Sequence, residues 1–271
     1  MEYTVDRCHN RAHLRHLMNQ DAGESAYALG DLESPLWEQS DFWGAYNQHT
    51  LDAFVLFYRG FEIPTLTMGG HFNGIATILS HIALEPEVFC LAPAVFKSLI
   101  LHHYNPKYLY DLYRMMVTPQ HFHAPSDQLG PGEQLLRLAE DDSERLNALY
   151  AQAADPGEAI MAFSPSQIGL GVFYGVQTAA GELIAAAGTH VVSEHENIAA
   201  VGNIFTSPGQ RGRGLGRLTT AAVTQALFEM PITRVVLNVK QTNAAAVRVY
   251  DQLGYRIHCE FIEGPAELLA H

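Results

Sequence analysis

The 271-residue chain is poor in several things at once, and each shortage excludes something. It has three cysteines, Cys8, Cys90 and Cys259, far apart and without a CxxC pair. That excludes an even disulfide framework, and a reducing cytoplasm is the expected setting. Charged residues are 17% of the chain, too few for extended disorder beside 48% hydrophobic residues. Basic residues are scarce: 16 Lys and Arg face 29 Asp and Glu, a formal charge of −13. Such a field repels phosphate backbones, so nucleic acid is not an expected partner. No apolar run approaches the roughly 20 residues a membrane-spanning helix needs, and the first ten residues lack the basic-then-apolar pattern of a secretory signal. The Gly-x-Ser-x-Gly elbow of serine hydrolases is also missing.

What is present reads as two α/β domains, 1–125 and 132–271, joined by the Pro- and Gly-marked stretch from Pro119 to Pro131. In the first, helices are expected around Asn10–Asn19 and Glu24–Leu32. A hairpin of Leu51–Tyr58 with Ile63–Met68 follows, then a helix at Ile75–Ile82, a strand at Val88–Leu91 and a helix from Pro93. Leu109–Val117 is strand or helix by periodicity. Trp37, Phe42, Trp43 and Tyr46 suggest core by default, or an acceptor pocket. The second domain reads strand (Gln134–Ala139), helix (Asp142–Ala153), strands at Val172–Gln177, Leu183–Val192 and Ala199–Phe205, helix (Leu215–Glu229), strand (Arg234–Val239), helix (Asn243–Leu253) and strand (Tyr255–Ile262). Antiparallel runs mixed with crossover helices indicate an α+β mixed sheet. The halves share this rough plan, which suggests a duplicated domain.

The chemistry concentrates in Gln210-Arg211-Gly212-Arg213-Gly214-Leu215-Gly216, between a strand and a helix. Glycines there admit positive φ and close ligand approach. The free amides and the dipole of the helix start favour an anion, and two arginines add charge. The spacing lacks the Lys-Ser/Thr of a P-loop and the G-x-G-x-x-G of a dinucleotide fold. Together these features describe a pyrophosphate cradle, the alternative being a glycine-rich turn that simply enters a helix. His9, His13 and His16 share a helix face, but no further ligand completes a metal site, and none is expected.

Arg211-x-x-Gly214-x-Gly216 resembles the Q/R-x-x-G-x-G/A motif of the GNAT acyltransferase superfamily. The strand Gly202–Thr206 before it, and Leu237–Asn243, Tyr250 and Leu253-Gly254-Tyr255 after it, resemble the family's flanking signatures. The resemblance spans about Leu135–Glu263 and implies a GNAT fold there, with a second, divergent GNAT-like domain before it. It implies an acetyl-CoA-dependent N-acetyltransferase transferring directly to an unidentified small amine or peptide amine. Two alternatives stay open: a non-catalytic CoA-binding regulatory module, and an acyltransferase using another acyl-CoA. Ile204, Phe205 and Thr206 would pair with the pantetheine arm as an added strand. Amides of Arg211, Gly212, Arg213, Gly214, Leu215 and Gly216 would hold the pyrophosphate. Asn243 would contact pantetheine or cap its helix. Tyr250 matches the tyrosine that protonates the departing thiolate, or is a packed aromatic.

The base is not marked: Ala199 and Ala200 stand where some members carry a Glu, leaving Glu194, Glu196, His190 and His195 nearby. His190 and Glu196 are the expected candidates, with Asn203 and Thr206 able to orient a water instead. The first domain offers only His71-Phe-Asn-Gly74 at the matching place, without the spacing or the charge. It is expected not to bind CoA, and either to wall off the acceptor site or to form a homodimer.

Overall fold

In a computed structural model, the structure describes residues 2–126, 129–153 and 165–270. Residues 127–128 of the expected linker and 154–164 of the second half lie outside them.

The described chain runs β1 (Thr4–Arg7), α1 (Arg11–Met18), α2 (Ala26–Gly30), β2 (Ser40–Asn47), β3 (Thr50–Tyr58), β4 (Thr65–Gly70), α3 (Phe72–His81), β5 (Glu87–Pro93), α4 (Lys97–His103), β6 (Tyr104–Pro106) and β7 (Tyr110–Val117). It continues with β8 (Gln134–Arg137), α5 (Ser143–Tyr150), α6 (Pro165–Leu170), β9 (Tyr174–Gln177), β10 (Leu183–Ser193), β11 (Ile198–Thr206), α7 (Leu215–Phe228), β12 (Arg234–Lys240), α8 (Ala244–Gln252) and β13 (Arg256–Leu268). The class is mixed α/β, as expected. Leu109–Val117, open between two states, is a strand. Ser40–Asn47, whose aromatics suggested core or pocket, is a strand paired on both sides, with β1 and with β3.

Two compact units emerge: Met1–Arg114 with Asn238–Asn243 and Ile257–His271, and Met115–Leu237 with Ala244–Arg256. This division differs from the expected 1–125 and 132–271 because two late segments bond into the first unit. Residues Phe261 to Glu267 of β13 pair antiparallel with Pro93 to Glu87 of β5. The Gln241 amide donates to the Asp111 carbonyl (3.0 Å), and buried Arg114 donates from Nε to Asn238 Oδ1 (2.9 Å). Arg114 is 1% exposed; its Nη1 donates to the Glu24 carbonyl and its Cζ lies 3.6 Å from the Phe261 ring centroid, while Nη2 is buried with no hydrogen-bond partner among the described residues.

The first unit orders its strands β1-β2-β3-β4-β5-β13, antiparallel except for β4 and β5, which are parallel. The second orders them β8-β9-β10-β11-β12, antiparallel except for parallel β11 and β12. In each, a hairpin is followed by a crossover helix (α3 or α7) and a parallel strand. The first core gathers Val55, Phe57, Leu66, Ile75, Ile78, Val88 and Ile262, all at 1% exposure or less. In the second unit, Leu146, Leu149, Phe173, Ala186 and Phe205 pack one face, and Val176, Ala185 and Leu215 another.

Candidate active site

In the second unit, β11 holds β10 on one edge, with Ala185 opposite Thr206 and Ala186 opposite Phe205. Its other edge pairs with β12 only from Ile198 to Val201, opposite Arg234 to Leu237. Past Val201 the two parallel strands part. The register with β10 slips between Ala186 and Gly188, and Asn203 takes φ +51° there. Such a bulge bends a strand and ends pairing locally. Ile204, Phe205 and Thr206 therefore follow the divergence, with the edge once shared with β12 no longer in ladder register.

A single 3-10 turn, Pro208–Gln210, leads from β11 into Arg211–Gly214. Gly212 and Gly214 have φ +78° and +79°, the left-handed region that costs a side-chain-bearing residue. Gly214 occupies the N-cap of α7, and the first helical hydrogen bond is Leu218 N–H to the Gly214 carbonyl (2.9 Å). The amides before Leu218 thus have no acceptor within the helix and present the positive end of a 14-residue dipole. A Cβ at Gly212 would meet no atom within 4 Å, so the cradle opens outward.

The two loop arginines differ in a way that their sequence neighbourhood does not disclose. Arg213 is clasped by Glu133, with Nη2 at 2.8 and 2.9 Å from the two carboxylate oxygens, and donates also to Gln210. The pairing holds the Glu133 carboxyl below its usual pKa. Arg213 hence anchors the loop to the turn before β8, and its charge is largely neutralised there. Arg211 is exposed, its Nε donating to the Thr206 carbonyl (3.3 Å) and its guanidinium 5.9 Å from the Phe205 centroid. The first unit has no comparable loop: only His71 separates β4 from α3, where eight residues separate β11 from α7.

Tyr250 lies on α8 at 7% exposure, its ring 6.2 Å from that of Tyr255. A left-handed Gly254 (φ +95°) closes the helix: Tyr255 N–H donates to the Tyr250 carbonyl (3.0 Å) and Gly254 N–H to that of Asp251 (3.0 Å). A Cβ on Gly254 would fall 1.8 Å from the His121 carbonyl oxygen, so only glycine fits. The Tyr255 hydroxyl bonds Thr224 (2.7 Å) and Arg217 bonds Gln252 (2.6 Å), which lashes α8 to the cradle helix α7. Burial pushes the Tyr250 phenol well above its ordinary pKa, so its protonated form is favoured still further at neutral pH. Asn243 directly precedes α8, and its amide donates to the Lys240 carbonyl (2.9 Å).

The two expected base candidates separate. His190 is the bulged residue of β10, and its ring covers Gly202: a Cβ there would lie 2.0 Å from Nε2. Burial lowers its pKa to about 4. That keeps the imidazole neutral but leaves it a weak proton acceptor, since bases work best with a pKa near the operating pH. Glu196 sits in the turn between β10 and β11, its amide bonded to Ser193 Oγ (3.1 Å) and its carbonyl to Arg234 (3.0 Å). At about 3.3 Å per strand residue, this is roughly 20 Å from Asn203. The strand that carries the bulge also carries Glu196 away from it.

Two residues not singled out by sequence complete the bulge. The Tyr150 hydroxyl, at the end of α5, donates to the Asn203 carbonyl (3.0 Å), and the ring meets Phe205 edge-on at 6.2 Å. Nearby Ser207 Oγ donates to Gln152 Oε1 (2.6 Å). Among the described residues, no group of three or more His, Cys, Asp or Glu is placed to hold a metal ion, and no helix is long and apolar enough to cross a membrane.

Residues 152–255 match the model of the acetyltransferase (GNAT) family, bracketing the bulge, the cradle and Tyr250. This segment is a GNAT acetyltransferase domain. Over 61 residues the chain is 38% identical to mycothiol acetyltransferase of Streptosporangium roseum, a match spanning 22% of this chain and 18% of that protein's length. Solved structures match nearly end to end, two of them described as GNAT proteins. A GCN5-related N-acetyltransferase from Sphaerobacter thermophilus aligns over 98% of this chain and 95% of its own, with TM-score 0.63 and 15% identity. A tandem GNAT protein from the clavulanic acid biosynthesis pathway aligns over 98% of both chains, with TM-score 0.60 and 11% identity. A Drosophila protein aligns over 97% of this chain and 99% of its own, with TM-score 0.72 and 14% identity. The fold of the whole chain is accordingly like that of tandem GNAT proteins.

Proposed function

We propose that this chain is an acetyl-CoA-dependent N-acetyltransferase acting on a small amine or peptide amine. The observation that carries the reading is the continuity of strand, bulge and cradle. β11 parts from β12 at Val201, and by Leu215 the chain has passed two left-handed glycines, Gly212 and Gly214, and reached an open helix start. A ligand with an extended amide-bearing arm and a pyrophosphate at its end fits both features together. In this reading Ile204, Phe205 and Thr206 pair with the pantetheine arm, and amides from Arg211 to Gly216 bind the pyrophosphate, with Arg211 supplying charge. Asn243 contacts the arm or caps α8.

The transfer is direct. The neutral acceptor amine attacks the thioester carbonyl carbon, a C–N bond forms, the C–S bond breaks, and the amine proton leaves to solvent or a bound water. Tyr250, whose phenol carries its proton at neutral pH, returns a proton to the thiolate. His190 serves as a neutral wall of the bulge rather than as the proton acceptor, and Glu196 takes no part. The acceptor class rests on the family.

A panel of amines with acetyl-CoA, read by free-thiol release, tests the assignment. Release dependent on one amine class supports it; a longer acyl-CoA serving better moves the donor and leaves the mechanism. Tight CoA binding without release for any amine would make the chain a CoA-binding regulatory module instead.

A further inference from the structure

Asn203 carries three unusual features at one position. Its φ is +51°, a region a residue with a side chain enters at a cost that asparagine bears better than most. Its carbonyl is taken by the buried Tyr150 hydroxyl. Its own side chain is 6% exposed, and Nδ2 is buried without a hydrogen-bond partner among the described residues. A buried amide left unpaired costs about as much as a lost hydrogen bond, so nothing in the fold's stability accounts for an amide there. Leucine would fill the space without that cost, and glycine would take the backbone without strain.

The position suggests the missing partner. Asn203 is the second residue after the β11–β12 pairing ends, and the bulge opens there. If the pyrophosphate is at Arg211–Gly216 and the arm runs back along Thr206, Phe205 and Ile204, the arm's far end reaches Asn203, about 10 Å from Thr206 at the usual strand rise. That end carries the thioester. An N–H donor matches its carbonyl oxygen, and the match strengthens as that oxygen gains charge during attack. We propose that the Asn203 carboxamide donates a hydrogen bond from Nδ2 to the thioester carbonyl of bound acyl-CoA. Tyr150 acts as a positioning residue by holding the Asn203 carbonyl. The proposal rests on the acyl-CoA reading given above.

The test compares acetyl-CoA with S-ethyl-CoA, a thioether of the same length that lacks the carbonyl. Calorimetric Kd values are measured for the natural protein, Asn203→Gly and Asn203→Asp. Both replacements tolerate positive φ, and thermal unfolding verifies that each is folded; if one fails, the other serves. Both variants are expected to lose about three- to tenfold in acetyl-CoA affinity and to bind S-ethyl-CoA unchanged. Equal losses for both ligands would overturn the proposal and leave Asn203 a shaper of the slot. No loss for either would overturn it as well. If the natural protein binds neither ligand, the acyl-CoA reading falls and takes this proposal with it, an outcome separable from the other two.

Discussion

Replacing Gly214 by alanine isolates the cradle's geometry from its charge. At φ +79° an alanine pays the left-handed penalty of about 1–2 kcal/mol, with no side chain large enough to reach a ligand. Two responses are available to the loop, and they divide this quantity between two assays. If Gly214 keeps its conformation, the whole penalty falls on stability. For a chain of this size that is about 2–8 °C of Tm, with CoA affinity unchanged. If the loop relaxes, stability is spared and the competent conformation becomes a minor state. CoA affinity then falls by about 5- to 30-fold. The sum of the two losses is expected to stay near 1–2 kcal/mol. Gly209→Ala is the control: Gly209 has no positive φ, a Cβ there meets nothing within 4 Å, and neither quantity should move. Thermal denaturation and calorimetry on the same preparations give both numbers. A Gly214→Ala protein that loses neither, or a Gly209→Ala protein that loses as much, would refute the assignment of the left-handed turn to the cradle.

Tyr250→Phe should lower turnover by about 10²–10⁴ while leaving acetyl-CoA affinity within about twofold; unchanged turnover would reduce Tyr250 to a packing residue. Two pH effects oppose each other and need variants to separate them. His190, with a folded pKa of about 4 against an ordinary 6.5, penalises the folded state only once the unfolded chain begins to protonate. Stability is therefore lost as pH falls from 6.5 toward 4, by up to roughly 3 kcal/mol, and His190→Gln should remove that slope in urea titrations. Asp31, at 9% exposure and with a pKa raised by burial to about 8, works the other way: its contribution is full below about pH 4 and is lost as pH rises toward 8. Asp31→Asn should be more stable than the natural protein at pH 8, and an equal or lower Tm there would contradict the burial argument.

The parts of this structure legible in the sequence are those written locally. Glycines at 212 and 214 next to arginines, between an apolar strand and an amphipathic helix, disclose the cradle because the backbone demand and the residue type coincide. The same holds for Gly254 at the end of α8. Pairing partners are another matter. β13 finds β5 some 170 positions earlier, and nothing in Phe261–Glu267 names Pro93–Glu87 as its mate. β2 does not alternate cleanly, because Gly44 and Ala45 are buried in succession, so its aromatics suggested core or pocket. Glu196 and His190 are near the cradle in sequence, yet Glu196 sits in the turn before β11, at the end of that strand remote from the bulge, and the ring of His190 is packed over Gly202. Strand direction and burial belong to the assembled sheet. Glu133, 80 residues before Arg213, likewise shows only in the fold that Arg213 is an anchor.

The central claim is that the loop from Arg211 to Gly216 is an acyl-CoA site and that the first unit, with only His71 between strand and helix, has none. Calorimetric titration of the whole chain with acetyl-CoA tests this most directly. The account predicts one equivalent bound per chain. No binding, or two equivalents per chain, would contradict it.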